Sequence, residues 1–244
     1  MAPIDPEPLL RAYSIGVFPM ADSRDAADIF WVEPKRRAIL PLDSFRLSRS
    51  LRRTLRSGIF EVSHDTAFAE VVRSCANREE TWISADIEQS YSELHLRGHA
   101  HSIECRQNGE LVGGLYGVTL GTAFFGESMF SARPDASKVA LAWLVARLRV
   151  GGFTLLDCQF MTDHLRSLGA VEITQQDYLA LLDSALGVGS GEGAAGAGAG
   201  AAAFGRGRGA EFGALDRLLA SDPARTVDSP ASGCVIAQLL GHTS

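Results

Sequence analysis

The sequence predicts a mixed α/β (α+β) fold with a largely antiparallel sheet. Three short apolar runs follow one another over residues 99–130, and the pair Asn108 and Gly109 separates the first two, which is typical of an antiparallel meander. Residues 138–150 are apolar on nearly all sides and predict a buried helix. The next strand-type run, over residues 153–160, comes directly after this helix. We therefore expect it to lie parallel to an earlier strand.

The segment before residue 58 predicts a small mixed N-terminal domain, residues 1–57. Its expected elements are a helix over residues 8–20, strands over 30–32 and 37–42, and an amphipathic helix over 46–57. Gly16 and Pro19 end the first helix. The buried face of the second helix is predicted from leucines that recur every four residues: Leu47, Leu51 and Leu55.

Residues 58–186 predict the main domain. Besides the meander and the buried helix, we expect strands over 59–63 and 171–173 and helices over 66–75, 87–97, 163–168 and 175–186. Residues 187–209 are rich in glycine and alanine and predict a flexible linker. Residues 210–244 predict a C-terminal tail with a helical turn over 215–219. Neither of these last two segments is expected to carry catalytic residues.

Composition excludes several classes of protein. The chain has 244 residues, and its 46% hydrophobic against 21% charged residues predict a globular protein with a sizeable core. A net charge of -6 argues against a basic nucleic-acid binder, although a local basic patch remains compatible with it. No run reaches the ~18 apolar residues of a membrane helix, and no signal peptide is evident. The four cysteines have neither CxxC spacing nor histidine partners, so we expect reduced thiols, no metal site and a cytoplasmic protein.

Three polar residues lie within apolar, strand-type runs. Glu127 follows aromatic and small apolar residues, while Asp157 and Gln159 alternate along a second strand and therefore share one face. A buried carboxylate is unfavourable unless it is paired or used. These strands are therefore the predicted functional site, and the alternative interpretation is a satisfied buried hydrogen-bond network.

The predicted helix over residues 46–57 is densely basic. The arginines that lie outside its leucine face include Arg49, Arg52, Arg53 and Arg56. Three further basic residues precede it: Lys35, Arg36 and Arg37. Together they can form a phosphate-binding face. A solvated helix surface is the alternative, and the charges alone leave both interpretations open.

Several motifs resemble those of leucyl/phenylalanyl-tRNA–protein transferase. They are Trp82 with Ile83, GHAHSIE over 98–104, LVGGLYG over 111–117, FGESMFS over 125–131, ASK over 136–138, DCQ over 157–159 and SLGA over 167–170. The N-terminal part adds Tyr13 before the GVFP run of 16–19, Trp31 before Pro34, and SRS over 48–50. The resemblance runs from about residue 8 to 182 in one order without large gaps.

The resemblance implies an enzyme that moves leucine, phenylalanine or, less well, methionine from aminoacyl-tRNA to the N-terminal arginine or lysine of a protein. The product enters the bacterial N-degron pathway of protein degradation. The implied fold is a small N-terminal domain followed by a GNAT-like acyltransferase domain. Because the aminoacyl ester is already activated, no ATP, metal or other cofactor is expected. We expect a monomer that does not act at a membrane.

The resemblance also assigns roles to residues. Asp157 attracts the acceptor ammonium or takes its proton, Gln159 orients the amine or the ester carbonyl, and Glu127 pairs with the acceptor's cation. Either Asp157 polarises Gln159 or a tRNA ribose hydroxyl relays the proton, and the sequence leaves both open. Residues that line the slot for the donor side chain or the site of the terminal adenosine are Trp31, Trp82, Leu115 and Phe124. Contact with the tRNA acceptor stem is assigned to four arginines of the basic helix, Arg49, Arg52, Arg53 and Arg56.

The chain departs from the family pattern at two of the positions compared. Leu115 stands where members of the family have methionine, a mild change in the shape of the slot. Thr162 stands where asparagine can occur after the DCQ motif.

Two other functions are compatible with parts of the sequence. An acetyl-CoA-dependent N-acetyltransferase of GNAT type needs a glycine-rich pyrophosphate loop, but the corresponding residues 131–137 contain no glycine. A non-catalytic RNA-binding protein explains the arginine helix. It does not explain three polar side chains, Glu127, Asp157 and Gln159, in apolar strands.

Overall fold

The computed structural model describes residues 3–26, 28–187, 210–221 and 230–241. Its strands are β1 (Phe18–Met20), β2 (Phe30–Val32), β3 (Arg36–Ile39), β4 (Glu61–His64), β5 (Ala100–Gln107), β6 (Glu110–Leu120), β7 (Ala123–Ser131), β8 (Leu155–Gln159) and β9 (Val171–Thr174). Its helices are α1 (Pro6–Ser14), α2 (Arg49–Ser57), α3 (Phe68–Ala76), α4 (Ala85–Leu96), α5 (Ala136–Val150), α6 (Asp163–Ser167), α7 (Gln175–Leu186), α8 (Ala214–Ala220) and α9 (Pro230–Leu239). None of the helices in these ranges is long and apolar enough to cross a lipid bilayer.

Seven strands form one large sheet in the order β4-β5-β6-β7-β8-β3-β9, and β1 and β2 form a separate antiparallel pair. In the large sheet β7 and β8 are parallel, while the other neighbouring pairs are antiparallel. The predicted mixed, largely antiparallel α+β fold is therefore confirmed. The meander is confirmed as well, and its first turn places Asn108 at φ 55° and Gly109 at φ 80°, as an Asn-Gly hairpin requires.

Strand β3 ties the N-terminal segment to the large sheet. It lies between β8 and β9 and pairs antiparallel with both. The residues before 58 therefore contribute to two sheets, because β1 and β2 stand apart while β3 lies inside the larger one. The domain boundary after residue 57 stays a prediction.

Helices cover both faces of the large sheet. Helix α5 packs on one face together with α2, α8 and α9, and α1, α3, α4 and α7 pack on the other. A glycine of β6 lets the start of α5 approach closely, because a Cβ atom on Gly113 would lie 2.5 Å from the Cβ of Ala136. Most side chains of α5 are buried, which confirms the predicted buried helix.

The first helix is shorter than predicted. Helix α1 ends at Ser14, and Gly16 follows with φ 80°, a left-handed conformation that breaks the helix. Pro19 then lies in β1, opposite Trp31 of β2. The run over residues 8–20 therefore holds a helix and a strand.

The described parts of the C-terminal segment, residues 210–221 and 230–241, pack on the folded core. The predicted turn over 215–219 is part of α8, and α9 packs against α2 so closely that a Cβ atom on Gly233 would lie 2.0 Å from the carbonyl oxygen of Leu55. The ring of Phe212 stacks on His101 at 4.1 Å and on Phe124 at 5.9 Å between centroids. The described residues of the predicted C-terminal tail therefore contribute to the core, and the boundary of this segment stays a prediction. The predicted linker falls, from residue 188 onward, outside the described residues.

Candidate active site

The two strands that carry the predicted catalytic residues separate at their C-terminal ends. Strands β7 and β8 pair only as far as Phe125 and Asp157. Glu127 and Gln159 each follow two residues later, beyond this last pair. The sheet opens between them, which leaves room for a cavity.

A β-bulge directs the side chain of Glu127. Strand β6 pairs with β7 on both sides of this residue, but the register skips it. A bulge bends its strand and changes the direction of the extra side chain. The carboxylate of Glu127 consequently faces α1 and α4, where the hydroxyl groups of Tyr13 and Tyr91 lie within hydrogen-bond distance.

A cavity of about 420 Å³ lies at this opening. Its apolar wall includes side chains from β6, β7, β8 and α5 and from the loop before α4: Trp82, Leu115, Met129, Leu141, Leu144 and Leu156. Glu127 and Gln159 line its polar side, whereas Asp157 does not line it. The arrangement combines space for an apolar side chain with an acid and an amide at one side.

Glu127 is buried and accepts three hydrogen bonds. The hydroxyl of Tyr13 donates to Oε1 at 2.7 Å, that of Tyr91 to Oε2 at 2.8 Å, and the amide of Gln159 to Oε1 at 3.0 Å. Burial raises the pKa of Glu127 to about 7, although the three donors favour the charged form. Burial also raises the pKa of both tyrosines, so they remain protonated donors. Near neutral pH, Glu127 can therefore both attract a cation and take up a proton.

Asp157 forms a fully buried ion pair with Arg37. The Nε atom of Arg37 lies 3.0 and 3.1 Å from the two carboxylate oxygens, and Nη2 lies 2.6 Å from Oδ2. The hydroxyl of Tyr178 also donates to Oδ2, at 2.9 Å, and Nη1 of Arg37 donates to the carbonyl of Gly16. Both oxygens of Asp157 are therefore occupied by protein donors, away from the cavity.

Gln159 has a backbone conformation that is rare for residues other than glycine, with φ 60°. Its backbone N–H donates to Oδ1 of Asp157 at 2.8 Å, which stabilises this conformation. Its side-chain amide then reaches Glu127. Such local strain is typical of functional sites, where the surrounding structure maintains it. In this geometry Asp157 holds Gln159 in place.

The structure places the four predicted substrate-binding residues in three different environments. Trp82 and Leu115 line the cavity. Phe124 is fully buried on the α5 side of the sheet, where it stacks on Phe212 and does not reach the cavity. Trp31 is 46% exposed and lines a separate open cleft beside α1. The roles of all four stay predictions.

Three of the predicted tRNA-binding arginines are exposed on α2: Arg49, Arg53 and Arg56. Arg52 is half-buried where α9 packs against α2. Within the described ranges, none of these four arginines forms an ion pair with a carboxylate. The inclusion of Arg37 in this basic face is wrong, because its guanidinium is 1% exposed and neutralises Asp157.

Sequence reasoning assigned no site role to the side chains that hold the acids in place. Tyr13 lies in a motif that carried the resemblance, but nothing in the sequence pairs it with Glu127. Tyr91 and Tyr178 follow ordinary helical patterns. Arg37 lies in a run of basic residues, and this pattern predicts an exposed side chain.

The comparison with family models covers most of the chain. Residues 39–183 match the model described as leucyl/phenylalanyl-tRNA protein transferase, and residues 2–35 match the model of that enzyme's N-terminal domain. A transferase of this name from Rhizorhabdus wittichii is 64% identical and covers 100% of both chains. Another, from Novosphingobium aromaticivorans, is 64% identical over 75% of this chain and 71% of its own.

A crystal structure of FemX matches with a TM-score of 0.45 and 12% identity, and the match covers 72% of this chain and 70% of that chain. The 64% identity over the full length, together with both family models, accounts for the motifs on which the sequence resemblance rested. The chain therefore belongs to the leucyl/phenylalanyl-tRNA–protein transferase family and is an enzyme that transfers an aminoacyl group from tRNA to proteins.

Proposed function

We propose that this enzyme transfers leucine or phenylalanine, and less well methionine, to the N-terminal arginine or lysine of proteins and so directs them into the N-degron pathway. We propose further that it acts as a monomer in the cytoplasm. The observation that supports this function best is an apolar cavity with Glu127 and Gln159 at one side. All four cysteines are free thiols, which fits a reducing compartment.

The donor side chain fits the apolar part of the cavity. Leucine, phenylalanine and methionine carry no branch at Cβ, so a slot that is narrow at its mouth accepts them and rejects valine and isoleucine. Leu115, Leu141 and Leu144 offer the apolar surface that such side chains need. Trp82, at the same cavity, can stack on the terminal base of the tRNA.

Glu127 suits the acceptor amine. The reference pKa of an α-amino group is about 8, so much of the acceptor is an ammonium ion at neutral pH. The carboxylate of Glu127 attracts this ion, and its pKa of about 7 lets it take up the proton that the ammonium must lose. Gln159 orients the resulting amine, because its amide lies 3.0 Å from Glu127 at the cavity wall.

Asp157 is best described as a positioning residue. It does not line the cavity, and its two oxygens bind Arg37, Tyr178 and the backbone of Gln159. Through the last of these contacts it maintains the conformation of Gln159. Asp157 therefore acts through Gln159 and does not contact the amine directly.

The test is transfer of labelled amino acids from charged tRNA to reporter proteins that differ only at the N-terminal residue. We expect leucine and phenylalanine to be transferred to reporters that begin with arginine or lysine, and isoleucine or valine to be rejected. Glu127→Gln should lower kcat/KM at least tenfold, because the amide can neither attract the ammonium nor take its proton. Glu110→Gln, at the exposed first residue of β6, is the matched control and should leave transfer unchanged.

The outcomes separate the parts of the proposal. Equal transfer to a reporter that begins with alanine would contradict the acceptor specificity. Efficient transfer of isoleucine would contradict the assignment of the slot. Equal activity of Glu127→Gln and Glu110→Gln would remove Glu127 from the site.

A further inference from the structure

Two polar atoms in the wall of the cavity have no partner in the protein. In the part of the chain that the structure describes, three buried side-chain nitrogen or oxygen atoms lack a hydrogen bond: Tyr116 Oη, His164 Nε2 and Arg147 Nε. The first two both line the cavity. Buried polar groups are rarely left without a partner in folded proteins. Their coincidence at one cavity indicates that a ligand supplies the missing hydrogen bonds.

Tyr116 is a rigid hydrogen-bond donor. It lies in the middle of β6 and is fully buried, with its ring against Tyr91 at 5.4 Å and Phe68 at 5.8 Å between centroids. Burial, and then the charge of nearby Glu127, hold the pKa of Tyr116 well above its usual value of 10.0. Its hydroxyl therefore keeps its proton throughout the working range of pH, so it can always donate.

The neighbouring polar groups of the cavity are engaged with one another. The amide of Gln159 donates to Glu127, which already accepts hydrogen bonds from Tyr13 and Tyr91. The Tyr116 hydroxyl takes no part in this network. The Tyr116 hydroxyl is therefore a hydrogen-bond donor close to Glu127, and this donor remains available to a substrate.

Arg78 and Ser128, which also line the cavity, are hydrogen-bonded to each other. The guanidinium of Arg78 donates to the Ser128 hydroxyl at 2.8 Å and to the Met129 carbonyl at 3.3 Å. Arg78 is also exposed at the surface, so water competes for it. Tyr116, by contrast, is fully buried, and a hydrogen bond to developing charge is strongest at a buried donor.

We infer that the Tyr116 hydroxyl donates a hydrogen bond to the carbonyl oxygen of the aminoacyl ester and stabilises the oxyanion that forms there. The inference rests on the proposed function, since an amine held at Glu127 and Gln159 must lie within bonding distance of the ester carbon. The acceptor nitrogen bonds to that carbon, and the bond from the carbon to the ribose oxygen breaks. The ammonium loses two protons, of which one ends on the ribose oxygen and one on Glu127. Tyr116 keeps its own proton.

His164 supports the same placement of the donor. Burial, with the charge of Lys138, lowers the pKa of His164, so its imidazole is neutral at working pH. The side chain lies at the start of α6, in the wall that also contains Thr162 and Leu165. Polar atoms without a protein partner thus occur in the cavity wall on both β6 and α6, beside its apolar side chains.

Tyr116→Phe tests the inference, because it removes one hydroxyl that has no protein partner. We expect the unfolding temperature to stay unchanged or to rise. We expect kcat for transfer to fall roughly 100-fold, as is typical when one donor to an oxyanion is lost. The fall should be equal for aminoacyl-tRNA and for aminoacyl-adenosine, and KM for both substrates should stay within about threefold. A purely structural role would lower the unfolding temperature and leave kcat unchanged.

Three results would overturn the inference: kcat within about twofold of the wild type, a fall confined to KM for the acceptor, or a loss of kcat only in proportion to a loss of folded protein. Site-specific fluorotyrosine at position 116 adds a measurement that keeps the hydroxyl and changes the ring volume little, and kcat should change with the acidity of the phenol. No dependence on acidity would count against the hydrogen bond.

Failure of the wild type to modify arginine reporters would instead contradict the proposed acceptor specificity. The Tyr116→Phe comparison would still be made on whichever reporter is modified.

Discussion

Replacement of Glu127 by glutamine should make the protein more stable at alkaline pH while it impairs transfer. Glu127 is 8% exposed, and burial raises its pKa from 4.5 to about 7. Because the folded state holds this proton more tightly than the unfolded state does, the stability that depends on it is complete below pH 4.5 and is lost as the pH rises towards 7. Glutamine carries no titrating proton, so the variant escapes this loss.

The magnitude follows from the two pKa values. Each tenfold difference in proton affinity corresponds to about 1.4 kcal/mol, so full ionisation of Glu127 lowers the free energy of unfolding by about 3 kcal/mol. Between pH 5 and pH 8 the stability of Glu127→Gln relative to the wild type should therefore increase by about 2.5 kcal/mol. For a chain of this size the change corresponds to a relative shift of about 5–10 °C in Tm.

Urea unfolding of both proteins at pH 5, 6, 7 and 8 measures this difference directly. Other titrating groups cancel, because they are the same in the two proteins. Among them is His64, whose pKa is raised to about 9 by its hydrogen bonds to Asp216 and Asp65. The control Glu110→Gln should show no pH-dependent difference. A difference between Glu127→Gln and the wild type that stays constant within about 0.5 kcal/mol from pH 5 to pH 8 would refute the buried, proton-binding carboxyl.

Two further predictions concern the arginines. Arg37→Met should lower the free energy of unfolding by about 3–5 kcal/mol, because it leaves the buried carboxylate of Asp157 without its cation, and Arg37→Met with Asp157→Leu should recover most of this loss in the same urea assay. A loss below about 1 kcal/mol in the single variant would show that the pair is not buried. Charge reversal of Arg53 and Arg56 to glutamate should raise the apparent KM for aminoacyl-tRNA and weaken its salt dependence, with turnover of aminoacyl-adenosine nearly intact. An equal loss with both donors would count against tRNA binding by α2.

The local sequence pattern was sufficient to predict most elements of the main domain. The Asn-Gly turn after β5, the apolar run of α5 and the helix α7 each depend on residues close together in sequence, and the structure confirms each of them. The insertion of β3 between β8 and β9 could not be predicted in this way. It depends on pairing between residues about 120 positions apart, and a four-residue strand carries no signal for its partner.

The candidate site likewise combines residues that the sequence predicted with partners that it did not predict. Glu127 and Gln159 were predicted because a polar side chain in an apolar strand is conspicuous, and their strands were expected to lie in one sheet. The structure places both at one cavity. The partners that set their chemistry are distant in sequence: Tyr13 lies 114 residues before Glu127, and Arg37 lies 120 residues before Asp157.

The sequence by itself determined the fold class, the family and the positions of the acids, since these depend on hydrophobic periodicity, turn residues and motifs that can be read along the chain. Only the tertiary structure decided the surroundings of Glu127 and Asp157. The bulge and the separation of β7 from β8 turn Glu127 into the cavity, while the insertion of β3 brings Arg37 to Asp157. The physical reason is that burial and pairing, which set the charge and access of each acid, arise from residues that meet only when the chain folds.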